Sequence, residues 1–82
     1  MKDKKYLHIT TENFKFGSEI KRYYYNETYK LWTIVFFNDD VLFIYDKNIL
    51  NLVITKNNKT VCFVNEFRLC FYEEDGDYEE VN

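Results

Sequence analysis

Between residues 31 and 45 the chain reads LWTIVFF, then Asn38-Asp39-Asp40, then VLFIY. This pattern predicts two strands and a tight polar turn, yet neither strand alternates between apolar and polar positions. With a loop of residues 38–40, Phe37 faces Val41, Val35 faces Phe43 and Thr33 faces Tyr45, while Phe36 with Leu42 and Ile34 with Ile44 share the opposite side. Both faces of the hairpin are therefore apolar, and such a hairpin needs cover on both sides, from its own chain or from a partner.

The rest of the chain is read around that hairpin. Tyr6 to Thr10 is β-prone and predicts a first strand. Residues 11–25 admit two readings. As a hairpin they turn at Gly17-Ser18 between 13–16 and 20–25; as a helix they start at Thr11 and place Phe16, Ile20, Tyr23 and Tyr24 on one face. Gly17 costs a helix about 1 kcal/mol, and three consecutive tyrosines favour strand, so strands are the expectation. A long strand is predicted from Thr28 to Phe37 after a turn at Asn26-Glu27. Asp46-Lys47-Asn48 is a polar break, and Ile49 to Thr55 is again strand-like. Residues 56–59, Lys-Asn-Asn-Lys, predict a hairpin turn because asparagine tolerates positive φ. Thr60 to Val64 and Phe67 to Tyr72 complete the set.

The expected fold is mainly β: a single small antiparallel meander sheet or partly closed barrel of about 6–7 strands. The alternative is an α+β fold with one helix at about 11–25 packed on the sheet. Residues 1–72 form one β-rich domain and 73–82 a flexible acidic tail. A chain of 82 residues buries about 60–65% of its extended surface, which leaves stability marginal without large side chains. Eight Phe, eight Tyr and one Trp supply them. That is more aromatic surface than so small a domain readily hides, so some tyrosines are expected at a contact surface.

Charge divides the chain. The formal net charge of −3 combines a mildly basic body with a final segment, EEDGDYEEVN, that carries six acids and no base. Fully extended at ~3.3 Å per residue, 73–80 spaces its charges about as densely as one nucleic-acid strand does. Those acids could occupy a basic groove on a nucleic-acid-binding partner. No run of about 18 apolar residues suggests a membrane span and the N-terminus lacks the apolar core of a signal peptide, so a cytoplasmic location is expected.

Chemistry is thinly provided. His8 is the only histidine and falls on the polar side of its strand. Cys62 and Cys70 have no metal-ligand spacing with it, and read as buried small apolar residues. A three-residue loop between their strands would set the two thiols face to face, and a two-residue loop on opposite faces. Neither a glycine-rich phosphate loop nor a nucleophile elbow is present. No catalytic residue, metal or cofactor is assigned.

The expected function is that of a non-enzymatic protein-binding module, in particular a small acidic inhibitor of a nucleic-acid-processing protein. Its partner-binding residues are read as Tyr23, Tyr24, Tyr25, Tyr29 and Trp32, with Glu73, Glu74, Asp75, Asp77, Glu79 and Glu80 in place of phosphates. In size, acidity and lack of catalytic residues the chain resembles small phage-encoded inhibitors of host defence, such as anti-CRISPR proteins. The resemblance is one of profile and carries no residue roles. A homodimer, or a complex covering one face of the hairpin, is expected, and direct nucleic-acid binding is not. The competing reading is a small barrel that holds single-stranded nucleic acid through Lys21, Arg22, Tyr23, Tyr24, Tyr25 and Tyr29.

Overall fold

The computed structural model describes residues 4–65 and 68–71. They form eight strands: β1 (Lys5–Thr10), β2 (Lys15–Ile20), β3 (Arg22–Asn26), β4 (Leu31–Val35), β5 (Val41–Tyr45), β6 (Asn51–Lys56), β7 (Lys59–Asn65) and β8 (Arg68–Phe71), with one 3₁₀ turn at Asp46–Asn48. The fold is mainly β and every strand pairing is antiparallel. The helix considered for residues 11–25 is not adopted.

Two sheets share the strands, in the orders β2-β1-β6-β7-β8 and β3-β4-β5. Pairing is therefore not sequential throughout, because β1 crosses to β6 with Leu7 opposite Ile54 and Ile9 opposite Leu52. The switch between sheets falls at Lys21, whose N–H donates to the carbonyl of Val35 at 2.8 Å. From there Arg22, Tyr24 and Asn26 face outward and Tyr23 and Tyr25 face in. Leu7, Ile9, Ile20, Leu52, Ile54 and Val64 from one sheet meet Tyr23, Tyr25, Trp32, Ile34 and Ile44 from the other in one core. A bulge at Ile54/Thr55 leaves Val61 without a residue opposite it, so that Val61 and Cys62 are both buried although adjacent in sequence.

The turns explain where the strands end. Residues 11–14, not Gly17-Ser18, join β1 to β2: the Thr11 hydroxyl accepts from the N–H groups of Asn13 and Phe14, each at 3.1 Å. Gly17 lies inside β2, where a Cβ would come within 3.0 Å of the His8 ring and 3.1 Å of Tyr6. Its small size accommodates rings, not a turn. Between β3 and β4 the Asn26 side chain accepts from the N–H of Tyr29 at 3.0 Å and Lys30 has φ 57°, so 28–30 belong to the turn and β4 is shorter than expected.

The β4–β5 hairpin forms with its register displaced by two residues. Val35 pairs Val41, Thr33 pairs Phe43 and Leu31 pairs Tyr45. The loop is still three residues long but begins at Phe37: Phe36 N–H donates to the Asp40 carbonyl, Asp39 N–H donates to the Phe36 carbonyl, and Asp39 takes φ 68°. A displacement of two preserves which residues share a face. Trp32, Ile34 and Ile44 are buried on the inner side, while Val41, Phe43 and Tyr45 are exposed on the outer. The five-stranded sheet covers one apolar face of the hairpin and leaves the other open.

Between β7 and β8 Asn65 pairs Arg68, which corresponds to a two-residue connection. Cys62 is opposite Phe71 and Cys70 is opposite Phe63, so the two cysteines do not face each other across the ladder.

Candidate protein-interaction site

Three of the residues expected at a contact surface are core residues. Tyr23, Tyr25 and Trp32 are at most 2% exposed. The wettable ends of two of them are satisfied inside: Trp32 Nε1 and the Tyr25 hydroxyl donate to the two carboxylate oxygens of Asp46, each at 2.6 Å. They cannot meet a partner without unfolding the domain. Tyr24 is half-buried on the outer face, with Arg22 Nη1 donating to its hydroxyl at 3.4 Å. Tyr29 is exposed. Glu73, Glu74, Asp75, Asp77, Glu79 and Glu80 lie outside the described residues.

The exposed apolar surface gathers elsewhere, along a seam where β2 and the loop before it come alongside β5 and the turn before that. No ladder joins β2 to β5. Phe16 stands opposite Ile9 and so faces the core side of its sheet, yet it is 37% exposed. Its ring packs at 5.5 Å from Phe14 and 6.1 Å from Phe36. Phe37, Val41, Phe43, Tyr45 and Leu50 extend the same surface, with Phe43 the most open of them at 65%.

Two grooves run along the seam. One lies between Phe16, Ser18 and Glu19 and the turn residues Phe36, Phe37 and Asp40. The other, of about 410 Å³, lies between the 11–14 loop and Phe43, Tyr45 and Leu50. Glu12, Glu19 and Asp40 border them, and Lys47 is the cation at the lower end, 5.8 Å from the Tyr45 ring. Apolar walls with an acidic border disfavour a polyanion and suit an apolar protein segment. Lys21 and Asp39 pair at 3.4 Å beside the turn, but both are solvent-exposed, and such pairs contribute little.

The phenylalanines of this seam are absent from the partner-binding residues that the sequence suggests. The available signal was the hairpin with two apolar faces, which identifies Val41, Phe43 and Tyr45 once one face is covered. Phe16 carried no comparable mark, since its exposure follows from the position of β2 at the sheet edge.

His8 sits on the outer face of β1, its ring 4.9 Å from that of Tyr6 and against Gly17. Among the described residues no group of three or more His, Cys, Asp or Glu is placed to hold a metal ion, and no helix is long and apolar enough to cross a membrane. Fold and site together define a small antiparallel two-sheet protein with an incompletely closed apolar seam. Compared with protein-family models, with curated proteins and with solved structures, the chain has no match.

Proposed function

We propose that the protein is a non-catalytic binding module that docks a protein partner along the β2/β5 seam. The observation that supports this reading is the exposure of Phe16, an inward-facing side chain, beside the uncharged open strand β5. A domain with so small a core gains by covering that surface, and an extended apolar segment of a partner fits both the grooves and the strand edge. The finer reading is a cytoplasmic inhibitor of a nucleic-acid-processing protein, similar in kind to the anti-defence proteins of phages and mobile elements. Its support is the run of six acids at 73–80.

Direct single-strand binding has less in its favour. Of its four tyrosines Tyr23 and Tyr25 are in the core, leaving Tyr24 and Tyr29 with Lys21 and Arg22. The test compares immobilised wild type with Phe16→Ser and Phe43→Ser in capturing proteins from the native host. Loss of the same captured protein in both variants, with the β-type circular dichroism spectrum retained, is the expected result. Unchanged capture in both rejects the seam. Fluorescence anisotropy with mixed single-stranded DNA and RNA at low salt is expected to show no binding; tight binding would replace this reading with the nucleic-acid one.

A further inference from the structure

The open side of β5 has a hydrogen-bonding pattern that can be read from its ladder with β4. Phe36 bonds to Asp40 and Asp46 N–H bonds to the Lys30 carbonyl, each at 2.9 Å. In the same register the bonded pairs between them are Ile34 with Leu42 and Trp32 with Ile44. Leu42 and Ile44 therefore turn their N–H and C=O groups towards β4. Val41, Phe43 and Tyr45 turn theirs away from it, and among the described residues no strand pairs with that side. These same three residues project the exposed side chains.

Sheet edges of soluble proteins are ordinarily guarded by charge, proline, bulges or cover. The edge strand β2 follows that rule. Thr11 N–H bonds to the Phe14 carbonyl at 2.8 Å, which sets Phe16, Ser18 and Ile20 against β1 and leaves Lys15, Gly17 and Glu19 at the outward-bonding positions. Two of those three are charged. Along β5, VLFIY has no charge, no proline and no glycine. The charges lie just beyond its ends, Asp39 and Asp40 before it and Asp46 and Lys47 after it, with the Asp46 carboxylate held by Tyr25 and Trp32.

We propose that a second copy of this chain covers the seam, joined edge to edge through β5. This names the partner for the site argued above and rests on that site being a contact surface. The pairing is antiparallel about Phe43, so that Phe43 meets Phe43 of the second copy and Val41 meets Tyr45 of the second copy. All three outward positions then fall in hydrogen-bonded pairs, and two three-stranded sheets become one six-stranded sheet. The same register sets Asp39 of each strand opposite Lys47 of the second copy and Asp40 opposite Asp46 of the second copy, whereas a parallel pairing would bring the two Asp39–Asp40 ends together. Charge thus favours the antiparallel two-fold arrangement over a parallel one. The Phe43 rings meet at the axis, adding the seam's most exposed aromatic to the interface.

Sedimentation equilibrium decides it. At tens of micromolar the wild type is expected at about twice the 10.1 kDa chain mass. Val41→Pro removes an N–H that makes no bond to β4 and keeps an apolar side chain; Phe43→Lys puts a charge at the axis. Both are expected to weaken self-association by at least about tenfold, with the β-type circular dichroism spectrum unchanged. A wild type that sediments as a monomer overturns the pairing, as does a dimer that persists in both variants. A monomeric wild type whose partner capture still fails on Phe16→Ser removes the second copy alone and leaves the seam as a docking site; capture indifferent to Phe16 removes the seam itself.

Discussion

Asp46 is the residue on which the interior aromatics depend. Its two carboxylate oxygens each accept a 2.6 Å bond, one from Trp32 and one from Tyr25, and its backbone ties the 3₁₀ turn to Lys30 and Ile49. Tyrosine and tryptophan are amphipathic, so sequence alone favours their polar ends at the surface; a carboxylate within reach lets them be fully buried instead. Nothing local announces this, since Asp46 is 14 residues from Trp32 and 21 from Tyr25. Asp46→Ala is expected to lower stability by about 2–3 kcal/mol, because it removes two charge-assisted bonds and strands two buried donors. Asp46→Asn keeps the shape and one good acceptor, and is expected to cost about half as much. The readout is a fall in the urea midpoint at constant slope. A loss below about 0.5 kcal/mol in the alanine variant would mean water replaces the carboxylate readily.

At the scale of elements, the turns separate what the sequence disclosed from what it concealed. The β6–β7 turn was legible because both central residues are asparagines, and both adopt positive φ, 53° at Asn57 and 70° at Asn58. Asn58→Ala is expected to cost about 1 kcal/mol, as a Cβ residue without a compensating side-chain bond is forced left-handed, and Asn58→Gly to be neutral or stabilising. Equal midpoints for the two variants would reject the backbone argument. At the β4–β5 turn Asn38-Asp39-Asp40 looks like a complete loop, and the loop that forms lies one residue earlier. The left-handed position instead went to Asp39, with Asn38 bracing the turn by accepting from Asp40 N–H at 3.0 Å, which drew Phe37 into the loop. No propensity favours phenylalanine there. Gly17 misled in the opposite direction, since its small size served the His8 and Tyr6 rings across the strand. Local chemistry at 57–58 was decisive; cross-strand neighbours at 17 and 37 were not visible from the sequence alone.

For the whole molecule, the division into two sheets depends on the contact of longest reach, β1 with β6. Sequential pairing is the default when strands follow one another closely. Here Lys21 interrupts the apolar alternation between Ile20 and Tyr23, and the chain turns from one layer to the other. That single break converts an expected meander into two layers and leaves the seam beside β5. Charge is organised on the same scale. Residues 1–72 carry a balance of +3, and removal of 73–82 changes the net charge from −3 to +3. If the acids compete with phosphates for a partner's basic groove, ending the chain at Tyr72 is expected to preserve seam-dependent capture but abolish competition with nucleic acid. The full chain's affinity is also expected to fall steeply with added salt, and that of the shortened chain much less, because the acids displace ions held by the partner's basic groove. The measurement is displacement of a labelled oligonucleotide from the captured partner by each chain at two salt concentrations. Equal displacement by both would assign the six acids a solubilising role and place inhibition wholly at the seam.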